Sequence, residues 1–237
     1  MSYSAATFAD RNPIKRWLQS RRLVTAMGQV DGAIEAPRIL DFGAGNGELC
    51  KQLAMRFPRA RLTCYEPAPF LMAQARQNLA QIVGVGFCTE LASLDAGAFD
   101  LIFCLEVLEH LPPAETERVL DSFERLLDPH GMIVVGVPIE TGLPAFYKGV
   151  FRMWRRFGAF DARIANVLRA TAGSPPSPRP DSEIAPGLPF HHEHMGFDHR
   201  VLRRRLERRF ALRNTVTSPF RLFGSWLNPE VNFVLCK

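Results

Sequence analysis

The sequence predicts a doubly wound α/β fold, a mostly parallel seven-stranded sheet closed by a C-terminal antiparallel hairpin. Three observations predict it. Short apolar runs of strand length alternate with amphipathic segments of helix length between residues 38 and 137. A glycine-rich turn at 43–47 joins the first such run to the first such segment. Two further extended runs, 211–217 and 230–236, follow each other with only a short connection, which suits an antiparallel pair.

Residues 12–30 predict an amphipathic basic helix. Ile14, Trp17, Leu18, Val24 and Met27 recur at near-helical spacing, with Lys15, Arg16, Arg21 and Arg22 between them. Asn12 before Pro13 supplies a cap and a first-turn proline. The plain expectation is a helix packed across the sheet edge; the functional alternatives are a lid over a ligand or a foot on a membrane surface.

Arg38 to Phe42 reads as a short buried strand, and Gly43 to Gly47 as the turn after it. Glu48 to Phe57 is a helix with Leu49, Leu53 and Phe57 along one face, ended by Pro58. A second strand is expected at Arg61 to Glu66, a helix at Pro69 to Ile82, a third strand near Val85 to Thr89, and a fourth at Phe99 to Cys104. Glu115 to Leu127 is a helix burying Val119, Leu120, Phe123, Leu126 and Leu127. Asp128 to Gly131 reads as a turn and Met132 to Val137 as a fifth strand. Strands separated by helices of these lengths pair in parallel through right-handed crossovers. Ligands in such sheets bind beyond the carboxyl ends of the strands, where strand order reverses.

Residues 139–197 break this rhythm. Phe146 to Leu168 mixes aromatics with arginines and predicts helix; Ala172 to Pro189, dense in Pro, Ser and Gly, predicts a loop. Asp198 is the expected cap of a helix that buries Val201, Leu202, Leu206 and Phe210, and its arginines (Arg203, Arg204, Arg205, Arg208, Arg209) read as a solvated face. The expected organisation is one domain over 1–237: a helical lid at 1–30, a ligand-binding core at 38–137, a substrate or lid insert at 139–197, and a helix and hairpin at 198–237.

Composition limits the classes. Apolar residues are 47% and charged residues 22%, which is ordinary for a folded soluble domain. No apolar run approaches the roughly 20 residues of a membrane span, and none of signal-peptide type follows the N-terminus. A cytoplasmic protein is expected. The five cysteines (50, 64, 88, 104 and 236) are odd in number and form no CxxC pair; four fall in expected strands, where reduced Cys packs as a small apolar residue. The net charge of +5 permits an anionic partner, but basic composition alone has little specificity, and nucleic acid is not the expected partner.

The strongest motif is Asp41-Phe42-Gly43-Ala44-Gly45-Asn46-Gly47. It is not GxGxxG, because Glu48 stands where the third glycine belongs, and no Gly-Lys-Ser/Thr closes it as a P-loop. Glycines at alternate positions let the backbone reach contact distance of a ligand. About 20 residues on, Glu66 ends the second strand, where a carboxylate can accept two ribose hydroxyls.

On these residues the chain resembles the class I S-adenosylmethionine (SAM)-dependent methyltransferases. Asp41 to Gly47 is similar to that family's first motif and Tyr65-Glu66-Pro67 to its second-strand acid. Phe99 to Ile102 followed by Glu106-Val107-Leu108-Glu109-His110-Leu111 resembles its segment after the fourth strand. Asp128 to Val137 resembles its Pro-Gly turn and fifth strand, with His130 intervening. The resemblance spans the chain except 139–190. It implies SAM as cofactor. Gly43, Ala44, Gly45, Asn46 and Gly47 would line the methionyl part, with Asp41 drawing the ammonium. Glu66 and Pro67 would meet the ribose, Glu90 the adenine amine, and Cys104 and Leu105 the cofactor through their backbone.

Methyl transfer from a sulfonium has a neutral leaving group, so alignment is the main requirement, and a base is needed only for a protonated acceptor. His110, just past the fourth strand, is a candidate base or substrate contact, or a residue bonded to local backbone. His191-His192-Glu193-His194 and His199 are dense in metal-ligand types, yet neighbours on an extended chain face opposite ways and no HExxH or Cys partner accompanies them, so no metal is expected. His194-Met195-Gly196-Phe197 resembles the His-x-x-Phe that opens the last helix in many relatives, which makes His194 the second candidate catalytic residue. The expected reaction is transfer to oxygen of a small-molecule, glycoconjugate or lipid-like acceptor, with peripheral membrane contact allowed. The alternatives are a nucleic-acid or protein methyltransferase, or a non-catalytic SAM-binding module. No Asn-Pro-Pro-Tyr motif follows the fourth strand, where base-amine methylases of this fold carry one.

Overall fold

The computed structural model describes residues 13–31 and 34–237. The expected Asn12 cap and the rest of segment 1–12 lie outside them. Helix α1 (Pro13–Met27) leads into β1 (Arg38–Phe42), α2 (Glu48–Arg56), β2 (Arg61–Tyr65), α3 (Pro69–Asn78) and β3 (Val85–Cys88). Then come β4 (Phe99–Leu105), α4 (Pro113–Leu126) and β5 (Leu127–Pro138). The seven-stranded sheet has the order β3-β2-β1-β4-β5-β9-β8, in which β9 (Glu230–Cys236) and β8 (Ala211–Ser218) are antiparallel. This is the predicted doubly wound sheet with its terminal hairpin.

Strand order reverses between β1 and β4, which pair in parallel with Leu40 opposite Ile102. The crevice therefore opens above the ends of these two strands. Their buried residues serve both faces. Leu40, Phe42 and Ile102 pack with Leu120 and Phe123 of α4 and with Leu202 and Leu206 of α7 (His199–Glu207). Ile39, Leu101 and Phe103 pack on the other face with Leu53 of α2 and Leu23 and Met27 of α1. The start of β1 is tied down by the Arg38 amide, which donates to Asp100 of β4 at 2.7 Å.

The structure departs from expectation at several places. β5 begins at Leu127 rather than Met132. Asp128 still accepts the His130 N–H at 3.0 Å, a turn-type bond, and the pairing with β4 shifts register between Phe99 and Leu101 to absorb it. The expected helix 69–82 stops at Asn78. The helix expected over 146–168 is two, α5 (Leu143–Arg156) and α6 (Ile164–Thr171), parted around Gly158 at φ +91°. Segment 172–189 is not all loop: β6 (Glu183–Ala185) and β7 (Leu188–Pro189) form a small hairpin around Gly187, at φ +76°. Asp198 caps α7 as expected, accepting the Arg200 N–H at 2.9 Å. A one-turn helix, α8 (Gly224–Leu227), sits between β8 and β9. No described helix is long and apolar enough to cross a membrane.

Candidate active site

The glycine turn is shaped by three left-handed residues, Gly43, Gly45 and Gly47, at φ +72°, +55° and +83°. A Cβ on Gly43 would come within 2.4 Å of Val107 and one on Gly47 within 2.7 Å of Leu79, so these two admit close packing. A Cβ on Gly45 would meet nothing within 4 Å; that glycine faces open space. The turn is pinned to β2, because Gly43 and Ala44 both donate to the Tyr65 carbonyl at 2.9 Å. Glu66, 5% exposed, accepts the Gly45 N–H on one oxygen and the Ala68 N–H on the other, each at 2.9 Å. Burial raises its pKa and the two amide bonds oppose the rise.

A cavity of about 500 Å³ opens at this turn. Of the sequence-predicted residues, Gly43 to Asn46, Glu66, Pro67, Leu105, His110 and His194 line it. Asp41, Gly47, Glu90 and Cys104 do not. Asp41 is 3% exposed and faces Cys50 of α2; burial pushes its carboxyl up to about 7, with Cys50 opposing, and its Oδ2 has no partner. Cys104 is fully buried in β4. Glu90 is exposed, and its carbonyl accepts from Cys88 and Ser93, away from the cavity.

The segment after β4 supplies another part of the cavity lining. Glu106 takes φ +58°, a rare conformation for a residue with a side chain. Leu108–His110 then forms a single 3-10 turn that buries Glu109 completely. His110 and His191 hold each other: the His191 N–H donates to the His110 carbonyl at 2.7 Å, and His110 Nδ1 donates to the His191 carbonyl at 2.6 Å. The His110 ring stacks on Phe190 with centroids 4.3 Å apart. Its Nε2 lies 3.2 Å from Nε2 of His194. Burial lowers both imidazoles, His110 to about 4 and His194 well below the usual range, so both are neutral near pH 7. Of the His/Glu run only His194 reaches this place. His191 donates to the Pro180 carbonyl, His192 packs edge-on to Phe190, and the Glu193 carbonyl accepts from Arg179. His199 lines a separate cavity beside α7.

Residues 40–133 match the family model described as a methyltransferase domain. Residues 40–133 thus carry a methyltransferase domain. The chain is 38% identical over 96 residues to a malonyl-[acyl-carrier protein] O-methyltransferase of Geobacter sulfurreducens, a match covering 37% of this chain and 36% of that protein. It is 33% identical over 135 residues to a ubiquinone biosynthesis O-methyltransferase of Xanthomonas axonopodis pv. citri, covering 55% and 51%. The chain thus spans about a third to a half of the length of these curated relatives. In fold it is similar to magnesium protoporphyrin IX methyltransferase of Synechocystis PCC 6803, solved with S-adenosylhomocysteine (SAH), with a TM-score of 0.61 at 17% identity over 98% of this chain and 92% of that one.

Sequence reasoning offered a lid at 1–30 and an insert at 139–197 but, His194 apart, assigned none of their residues to this cavity. Gln19, Arg22 and Leu23 of α1 reach it, so this helix both packs on the sheet face and walls the site. Arg22 bridges Glu106, at 3.0 Å, and Glu230 of β9. Its charge was indistinguishable from its basic neighbours in sequence. The β6–β7 hairpin supplies Ile184 and Leu188, and Phe190 follows it; no strand signal marks so short a pair. Glu140, fully buried just after β5, pairs with Lys148 and Arg152 of α5, fixing the insert to the core.

Proposed function

We propose that the methyltransferase domain moves the methyl group of SAM to an oxygen of a small-molecule or lipid-like acceptor. The observation that carries this is one cavity lined both by the glycine turn and Glu66 and by His110 and His194, which lie 3.2 Å apart. Its size suits a ligand of this kind. The names of the curated relatives, both O-methyltransferases, support the choice of oxygen.

The residues fit SAM by their chemistry. Gly45 leaves open space where a side chain would stand. Glu66 spends one lone pair of each oxygen on an amide, so each keeps capacity to accept a ribose hydroxyl. When bound, SAM supplies a methyl group on a cationic sulfur. Gly43 to Asn46 present bare backbone to its amino-acid end, and Pro67 and Leu105 close on it. Asp41, Gly47 and Cys104 shape the turn from behind, and Glu90 has no part in this reading. His110 and His194 line the part of the cavity left for the acceptor, and Leu111 and Phe190 beside them keep water out. Five free cysteines suit a reducing compartment, which supports a cytoplasmic setting.

The test is incubation with SAM and a panel of phenolic, carboxylate and isoprenoid-tailed acceptors, read by mass spectrometry for methylated product and SAH. Acceptor-dependent SAH formation is expected. Tight SAM binding with no SAH released by any acceptor counts for the non-catalytic alternative.

A further inference from the structure

Glu109, His110 and His194 converge under the acceptor end of the cavity, with one ligand-type atom from each lying within 4.8 Å of the other two. Glu109 is fully buried, and apart from its own amide no donor reaches either carboxylate oxygen. A buried carboxyl left in this way either keeps its proton or takes a cation as partner.

The tautomers make the arrangement sharper. His110 Nδ1 faces a carbonyl, which can only accept, so Nδ1 carries the proton and Nε2 presents a lone pair. His194 Nδ1 lies 3.9 Å from the Glu140 carboxylate, which favours the proton on that nitrogen too. Two Nε2 lone pairs then point at one another across 3.2 Å. Two nitrogens each about 2.1 Å from a common ion, at angles between square and tetrahedral, stand roughly 3.0–3.4 Å apart. The carboxylate, 3.9 Å from His110 Nε2, must move toward the two imidazoles to close on such an ion. A carbonyl on one imidazole and a carboxylate near the other are also the outer partners that orient metal-bound histidines.

We infer that Glu109, His110 and His194 form a binding site for a divalent first-row transition-metal ion, contrary to the sequence expectation of no metal. Two neutral imidazoles and one carboxylate suit manganese, iron or zinc better than magnesium or calcium. Both histidines line the cavity, so the remaining positions on the ion face the acceptor. There an acceptor hydroxyl becomes more acidic. Its proton leaves to solvent, an oxygen lone pair forms the new O–C bond, and the electrons of the breaking S–C bond stay on sulfur. This role rests on the methyl-transfer reading; occupancy of the site does not.

The test titrates chelator-treated full-length protein with Mn(II), reading free Mn(II) by its EPR signal, with Zn(II) as competitor. One ion per chain is expected, displaced by Zn(II). His194→Ala and Glu109→Gln are each expected to weaken binding more than about tenfold, the least that disturbing even the outer partners of a metal site costs. Each variant is also titrated with SAH, which reports that it is folded. If Glu109→Gln does not fold, His194→Ala decides, because that side chain is partly exposed. Absence of stoichiometric Mn(II) or Zn(II) binding, or binding unchanged in His194→Ala, overturns the inference in favour of an N–H···N bond between the histidines. Loss of SAH binding with the ion retained would instead count against the proposed function.

Discussion

The carboxylate of Glu66 accepts the backbone N–H of Gly45 at 2.9 Å, so the acid that ends β2 fixes the shape of the turn that ends β1. Two motifs 21 residues apart are one structural unit. Ligand grip and turn geometry therefore cannot be separated at Glu66, but they can be at the glycines.

Gly45→Ala and Gly47→Ala should fail in different ways. Both place a side chain at positive φ, which costs roughly 1–2 kcal/mol. At Gly47 the new Cβ also meets Leu79 at 2.7 Å, whereas at Gly45 it enters the cavity. Gly47→Ala is expected to have the lower melting temperature and Gly45→Ala the larger loss of SAH affinity by calorimetry. The opposite ranking would mean the turn does not face the ligand.

The particular residues explain how far the sequence could be read. The strand edges Arg38 to Phe42 and Phe99 to Leu105 were legible because buried parallel strands are short apolar runs. The turn and Glu66 were legible because few backbone shapes need glycine at alternate positions. The acceptor end was only half visible. His110 and His194 stand out as residue types, but their 3.2 Å contact spans 84 positions and depends on where His191 docks. Glu109 was legible only as part of the segment after the fourth strand, with no role of its own, and Arg22 looked like any arginine on a basic helix. The β6–β7 hairpin is too short to carry a periodicity.

Glu140 should anchor the insert through charge. Burial pushes its carboxyl up, but Lys148 and Arg152 outweigh that and hold it below the ordinary value of 4.5. Its folded pKa is depressed, so its stabilisation is present above about pH 4.5 and is lost as pH falls below that value. Glu140→Gln leaves two cations short of a partner, and a cost of roughly 3–5 kcal/mol is expected at pH 7. Urea melts at pH 7 and pH 4 should show the difference between the wild-type protein and Glu140→Gln narrowing in acid. A constant difference would contradict the ion-pair account.

An aromatic surface beside the insert should bind anionic lipid. Trp154 is 82% exposed and Trp226 71%. Tyr147 ties α5 to the Leu227 carbonyl at 3.1 Å, and Phe220 lies 6.2 Å from both Trp17 and Phe223. Arg155 sits over Phe151. Flotation with vesicles containing phosphatidylglycerol should carry the protein upward, and Trp154→Ala with Trp226→Ala should leave it at the bottom. Equal flotation of both proteins, or of neither, would remove the lipid-surface reading.

The account stands most directly on calorimetric titration of SAH into the wild-type protein and Glu66→Ala. A single site per chain is predicted. Removing this carboxylate takes away both the proposed acceptor of two ribose hydroxyls and the anchor of the Gly45 turn, and should weaken binding by at least about tenfold, since a hydrogen bond to a charged group contributes roughly 1.5–3 kcal/mol. Folded wild-type protein that takes up no SAH, or equal affinity in the two proteins, would contradict the assignment of this cavity to the cofactor.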